Sequence, residues 1–223
     1  DIAEGFTSWR MRPWPLAKFA SRGVVLDLGA GSCVNGVYAY SLGGRYLLCI
    51  DISYRMCFIS RKLLVKRGVV GDSVAGDMLF LPVRDNAVDS IIAIASIHHI
   101  PKNLVDMVFK EIKRVARDGA ITVVTVWSWR QPRFILSTLA NVFLKLLGLA
   151  TDIREYLVPW RKRGRTVYRY YQLYTLREIL QLCKKHGFEV ISYGFTGYTK
   201  RRSDNIYVIA KIRKHIQHPK TQT

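Results

Sequence analysis

Apolar positions fall into short unbroken runs, separated by stretches of helical period. Gly23-Val24-Val25-Leu26-Asp27-Leu28, Tyr46-Leu47-Leu48-Cys49-Ile50 and Val88–Ala95 are near-continuous apolar segments, the last broken only by Asp89 and Ser90. Runs of this length, bounded by glycine or acidic residues, predict strands buried on both faces, as in a parallel sheet. In Lys102–Val115 the apolar residues Val105, Val108, Phe109, Ile112 and Val115 recur at three and four, which predicts an amphipathic helix. Further helices are predicted over about Leu16–Ser21 and Asn35–Leu42, the latter ended by Gly43-Gly44. Another runs from an N-cap at Ser53 to about Lys66, and another spans Thr175–His186, closed by Gly187. Strands are predicted near Val69–Ala75, Ala120–Val126, Phe188–Gly194 and Asn205–Lys211. Up to residue 126 the order is β-α-β-α-β-β-α-β. This order predicts a Rossmann-like α/β fold, a mostly parallel sheet with helices on both faces.

Residues 127–170 break this rhythm and read as an insertion before the final strands. They hold an apolar stretch, Phe134–Ala150, interrupted by Ser137, Thr138, Asn141 and Lys145. It is short for a membrane span, which needs ~20 residues, so an amphipathic helix, buried or facing a partner, is expected. The basic run Arg161-Lys162-Arg163-Gly164-Arg165 follows. At the other end, Pro13 and Pro15 argue against a continuous helix in the lead. The chain thus reads as one domain over residues 1–212, with a polar, basic and disordered tail at 213–223.

Charge changes the picture most. Lys and Arg number 35 and Asp and Glu 16, a net charge of +19. Ion-pair networks use both signs in similar numbers, so this excess reads as a field for polyanions. Nucleic acid is favoured over an acidic membrane, because no basic amphipathic anchor stands out. The four cysteines, Cys33, Cys49, Cys57 and Cys183, form no C-x-x-C pair, so neither a zinc site nor a redox motif is expected. They read as reduced thiols of a cytoplasmic protein. The chain opens on Asp1 rather than Met, which leaves its true start open, and it shows no charged-then-apolar leader.

The candidate chemistry lies at strand ends. Gly29-Ala30-Gly31 sits where the first strand turns into the first helix, and glycines there allow a tight turn and close approach to a ligand. A dinucleotide fingerprint needs a third glycine three residues on, whereas Gly36 comes five after Gly31. Asp51 ends the second strand, where a carboxylate can accept from both hydroxyls of a ribose. Gly76-Asp77-Met78 ends the third. Taken singly, Asp27 could as well cap its strand.

The segment Asp27-Leu28-Gly29-Ala30-Gly31 resembles motif I of class I SAM-dependent methyltransferases. That resemblance implies a mostly parallel seven-stranded sheet and S-adenosyl-L-methionine as cofactor. Asp27, Gly29, Gly31, Asp51, Asp77 and Met78 are its candidate binding residues: the glycine turn for the amino-acid end, Asp51 for the ribose, Asp77 for the adenine amino group and Met78 against the ring.

Other segments resemble a narrower family. Arg10-Met11-Arg12-Pro13-Trp14-Pro15 is similar to its R-Y-K-P-W-P, Ile97-His98-His99 to its I-H-H, and Val158-Pro159-Trp160 to its V-P-W. Arg169-Tyr170-Tyr171-Gln172-Leu173-Tyr174 is similar to its R-Y-Y-H-x-Y, with Gln172 in place of the usual His. That family is the tRNA wobble-uridine carboxymethyl methyltransferases, comprising the fungal enzyme and the methyltransferase domain of the animal fusion protein. The resemblance implies methyl transfer to the carboxylate of 5-carboxymethyluridine. Such a carboxylate is already ionised at pH 7, so an arginine fork to orient it matters more than a strong base. Arg10 and Arg169 are the candidates, with His98 and His99 beside them. Trp14, Trp160, Tyr170 and Tyr171 are candidates to stack on an unpaired base, and Arg12, Arg161, Lys162, Arg163 and Lys200-Arg201-Arg202 to hold substrate phosphates. The resemblance also implies a small zinc-containing activator protein as partner, docked by strand addition, with Phe134–Ala150 or Val69–Ala75 as docking elements. Two other readings stand beside this one: a class I methyltransferase acting on a small molecule such as a quinone or lipid precursor, and an RNA-binding protein that kept the fold without catalysis.

Overall fold

The protein is described by a computed structural model covering residues 12–131, 134–148, 152–162, 165–197 and 204–214. Strands β1 (Gly23–Leu28), β2 (Gly44–Asp51), β3 (Gly71–Ala75), β4 (Val88–Ile94) and β5 (Ala116–Trp127) run parallel. With β8 (Phe188–Thr196) and β9 (Asn205–Ile212) they form a seven-stranded sheet in the order β3-β2-β1-β4-β5-β9-β8. β9 lies antiparallel to both of its neighbours. The helices are α1 (Val34–Ser41), α2 (Tyr54–Lys66), α3 (Val105–Val115), α4 (Ile135–Leu146) and α5 (Leu176–Lys185). The expected Rossmann-like architecture is therefore what the chain adopts.

Side-chain alternation along the strands feeds two cores. Leu26, Leu28, Ile91 and Val124 pack with Phe109 and Ile112 of α3 and Ile179 of α5 on one face. Val25, Leu47, Ile92 and Val123 pack with Ala39 of α1 and Leu64 of α2 on the other, where Trp14 joins them. The chain winds outward from β1 through β2 to β3, then returns to lay β4 on the opposite side of β1. At such a switch point the connections leaving the strand ends diverge and a crevice opens between them.

Local signals hold most elements close to their expected bounds. Ser53 caps α2, its Oγ accepting from the Met56 N–H at 3.3 Å. A capping box starts α5: Thr175 Oγ1 accepts from the Glu178 N–H at 3.2 Å, and the Glu178 carboxylate accepts from the Thr175 N–H at 2.8 Å. Three expectations change. The helix expected at Leu16–Ser21 is a 3₁₀ turn over Pro15–Phe19. β5 starts four residues early, running through Gly119 at φ +80° with a register irregularity against β4. The insertion contains, besides α4, an antiparallel hairpin of β6 (Glu155–Lys162) and β7 (Arg165–Gln172). Its residues alternate, but flanking charge and the interrupting Pro159 obscure the period. The hairpin is seated by Phe134, Tyr156 and Leu173, which pack with Trp127. Arg154 locks it to α5 through two bonds to Glu178 at 2.7 and 2.6 Å.

The cysteines also depart from expectation. Cys57 and Cys183 are free and buried, but Cys33 and Cys49 form a disulfide, with Cα atoms 6.2 Å apart. Their 16-residue separation hides that β2 runs under the start of α1. No described helix is long and apolar enough to cross a membrane. The tail expected at 213–223 lies outside the described residues beyond Lys214.

Candidate cofactor and substrate cavity

At the switch point the turn after β1 folds back over the end of β2. The Gly29 and Ala30 N–H groups both donate to the Ile50 carbonyl, at 2.8 and 3.0 Å. Gly29 and Gly31 have φ of +67° and +54°, in the left-handed region. A Cβ on Gly29 would lie 2.4 Å from Ser96 Cβ, so only glycine lets the turn close against the end of β4. Asp51 is pinned from two sides: Oδ2 accepts from the Gly31 N–H at 2.8 Å and Oδ1 from the Ser53 N–H at 2.9 Å. A carboxylate offers about four lone-pair sites, so acceptor capacity remains on both oxygens. Gly76 N–H donates to the Asp51 carbonyl at 3.0 Å, which brings the end of β3 alongside. Asp77 Oδ1 accepts from the Leu79 N–H at 2.9 Å, fixing that turn.

These groups line a cavity of about 610 Å³, walled by Gly29, Gly31, Asp51, Asp77 and Met78 at one end. That volume suits a nucleoside-sized ligand with an attached chain. The other end is walled by Arg12, Trp14, His99, Arg169 and Tyr170. Trp14 is held in place by its backbone N–H, which donates to Asn35 Oδ1 on α1 at 2.9 Å.

The β7 residues show the strand alternation at work. Tyr170 faces the cavity, and its hydroxyl donates to Glu155 Oε1 at 3.0 Å. Burial first, then the bond to Glu155, holds that phenol above its ordinary pKa. Tyr171 faces the other way, 2% exposed and stacked on Trp127 with ring centroids 4.0 Å apart. The Arg169 guanidinium lies over the Trp160 ring at 4.6 Å and the Tyr171 ring at 5.2 Å, within cation–π range of both. Its Nε is buried without a hydrogen-bond partner among the described residues. His99 Nδ1 lies 2.9 Å from the Tyr170 carbonyl. A carbonyl oxygen can only accept, so Nδ1 of His99 carries a proton toward it.

Several expected residues stand elsewhere. Asp27 does not line the cavity. It is 2% exposed behind the glycine turn, where Oδ2 accepts from the Gly36 N–H at 2.8 Å and anchors α1. Burial pushes its pKa up to about 7. His98 is 1% exposed, accepts from the Trp127 N–H at Nδ1 (3.3 Å) and packs on Tyr171. It is a structural support, displaced from the cavity by the turn that presents His99. Trp160 and Tyr171 stack on Arg169 rather than on a ligand. Gln172 is fully buried, so the His-to-Gln departure falls on a core position. Arg10, Arg163 and Lys200-Arg201-Arg202 lie outside the described residues, and for Arg161 and Lys162 only their place in β6 is described. Sequence reasoning missed Asn35, Ser53, Arg55 and Ser96, which also line the cavity. Each is a polar residue within a few positions of a recognised motif. The Ser96 Oγ is buried without a partner.

A family model described as "Methyltransferase domain" matches residues 26–124. A protein of Encephalitozoon cuniculi described as a methyltransferase is 27% identical over 197 residues, 85% of this chain and 84% of that one. The tRNA (carboxymethyluridine(34)-5-O)-methyltransferase of Arabidopsis thaliana is 30% identical over 136 residues, 58% of this chain but 31% of that one. Among solved structures, a SAM-dependent methyltransferase of Methanosarcina mazei superposes with a TM-score of 0.75 at 17% identity, over 91% of this chain and 99% of that one. The 1,6-didemethyltoxoflavin-N1-methyltransferase of Burkholderia thailandensis, solved with bound S-adenosylhomocysteine, superposes with a TM-score of 0.67 at 17% identity, over 95% and 83%. The glycine turn, the pinned carboxylate and a cavity at the switch point fit the same cofactor. The chain has the fold of class I SAM-dependent methyltransferases, and its residues 26–124 match the methyltransferase-domain model.

Proposed function

We propose that the protein methylates the carboxylate of 5-carboxymethyluridine at the tRNA wobble position, giving the methyl ester. The observation that carries this reading is Arg169. Its guanidinium is clamped between two aromatic rings at the cavity wall, with a buried Nε–H that has no partner among the described residues. Arg169 also belongs to the cavity wall, where a guanidinium fork suits a ligand carboxylate.

Bound S-adenosylmethionine supplies an electrophilic methyl group on sulfur. Asp51 would accept the ribose hydroxyls, Asp77 the adenine amino group, and Met78 would pack on the base. Arg169, together with Arg10, would orient the acceptor carboxylate so that one of its oxygens faces the methyl group. No proton moves, since the nucleophile arrives ionised. His99 lies where it can bond the uracil, and Trp14 and Tyr170 exclude water from the reacting end.

The tRNA part of the reading is supported by the net charge of +19 and by the Arabidopsis relative. We also propose the small zinc-containing activator as partner, added at the outer edge of β3. That strand ends the sheet order, and Val70 just before it is 59% exposed.

The test is nucleoside mass spectrometry of tRNA carrying carboxymethyluridine, incubated with the protein and labelled SAM, with and without the activator. The methyl ester should appear in the tRNA. Label recovered in a lipid or quinone extract and absent from tRNA would transfer the assignment to a small-molecule acceptor. Arg169→Ala should lower kcat/KM for tRNA by ~10- to 100-fold, the scale of a lost charged hydrogen bond, and Arg169→Lys should restore only part of it.

A further inference from the structure

The outer face of α2 carries a second feature, which the methyl-transfer chemistry does not use. Between Asp51 and Asp72 the chain has no acidic residue, yet it carries Arg55, Arg61, Lys62, Lys66 and Arg67. All five are exposed. Met56, Cys57, Ser60 and Leu64 take the inward face. At ~100° per residue the outward side resolves into two neighbouring rows. Tyr54, Phe58 and Val65 form one, exposed by 78%, 54% and 68%. Arg55, Lys62 and Lys66 form the other. The rows interlock where Lys62 Nζ sits 4.4 Å over the Phe58 ring. They start at the cavity, since Ile52 and Arg55 belong to its wall, and extend for ~20 Å at 1.5 Å per residue.

A solvated helix face ordinarily mixes both signs and pairs them at three- and four-residue spacing. Among the described residues Arg61 pairs with Asp72, which lies 3.3 Å away and is itself half exposed. Lys62, Lys66 and Arg67 have no acidic partner among the described residues. Large aromatics left open to water beside a row of cations match what a single nucleic-acid strand requires: rings for bases to stack on and ammonium groups for phosphates. An interfacial membrane helix instead needs a broad apolar face, and α2 spends that face on the sheet.

Resting on the RNA substrate proposed above, we infer that the α2 face is an RNA-binding track. It holds the strand that leads away from the nucleotide inserted in the cavity, with Lys62 and Lys66 on phosphates and Tyr54 and Phe58 under bases.

The test measures fluorescence anisotropy of a labelled anticodon stem-loop RNA over a salt series, with S-adenosylhomocysteine bound. Lys62→Glu/Lys66→Glu should weaken binding at least ~10-fold and flatten the log–log salt dependence by about 1.4, the value for two contacts on a single strand. Lys62→Gln/Lys66→Gln should flatten it similarly with a smaller loss. Phe58→Ala should weaken binding ~5-fold or more, the lower end for one stacked base. Calorimetric affinity for S-adenosylhomocysteine should be unchanged in all three, which also certifies their folding. Wild-type RNA affinity in the charge variants overturns the track. So does a loss confined to vesicles of phosphatidylserine and phosphatidylcholine, or to the activator protein. Wild-type protein that binds the RNA through α2 without methylating it leaves the track standing and removes only the acceptor assignment.

Discussion

Two aspartates, each near the end of its strand, show how much a single position decides. Asp51 meets two backbone N–H groups at the cavity wall, whereas Asp27 meets one and is sealed from water. Replacing Asp51 by Ala releases the Gly31 turn and, on the proposed reading, removes the acceptor for the ribose. SAM affinity by calorimetry should then fall below detection, and an unchanged value would remove Asp51 from the cofactor site. Asp27 acts on stability instead. Its folded pKa of about 7 lies above the unfolded 3.8. The folded state therefore binds this proton more tightly, so the contribution of Asp27 is greatest below pH 4, declines as pH rises toward 7 and is flat beyond. Asp27→Asn keeps an acceptor for Gly36 and abolishes that decline. In urea titrations the variant should gain on the wild type by up to ~4 kcal/mol between pH 4 and 7. A difference independent of pH would show that burial does not raise this carboxyl.

Among the elements, the hairpin β6–β7 matters most to the site, since it delivers Arg169 and Tyr170. It is held through Arg154 to Glu178, the same glutamate that closes the capping box of α5. Thr175→Ala should therefore cost ~1 kcal/mol in denaturant unfolding, as for a lost N-cap. Glu178→Ala should cost more, because it also removes both short bonds of Arg154, which is only 17% exposed and keeps Asp152 at 3.7 Å as its remaining carboxylate. Equal losses would mean the hairpin is anchored elsewhere. The disulfide between Cys33 and Cys49 ties α1 to β2 directly beneath the glycine turn. Alkylation of denatured, unreduced protein should modify Cys57 and Cys183 only. Modification of all four thiols would remove the crosslink.

For the whole molecule, charge and topology meet at one place. The switch point fixes where the cofactor cavity opens, and the basic surface continues from its rim along α2. Encounter with a polyanion is then steered by the summed field. Methyl transfer to tRNA should fall steeply in kcat/KM between low and physiological salt, while SAM binding stays nearly constant. Equal salt sensitivity of both would argue against a polyanionic acceptor.

Much of this was legible in the residues themselves. Near-continuous apolar runs such as Val24–Leu28 specify buried parallel strands, Ser53 and Thr175 specify helix starts, and Gly29, Gly31, Asp51 and Asp77 mark strand ends. These are local signals, set by backbone conformation and periodicity over a few residues. What proximity decides was not legible. The sequence offers Asp27 and Asp51, His98 and His99, Tyr170 and Tyr171 as near-equivalents, and only packing turns one of each pair into the cavity. The joining of Cys33 to Cys49, the aromatic clamp on Arg169 and the exposed rows of α2 are likewise contacts or faces created by folding. Burial and distance belong to the assembled sheet, because they depend on which remote segments fill the space around a side chain.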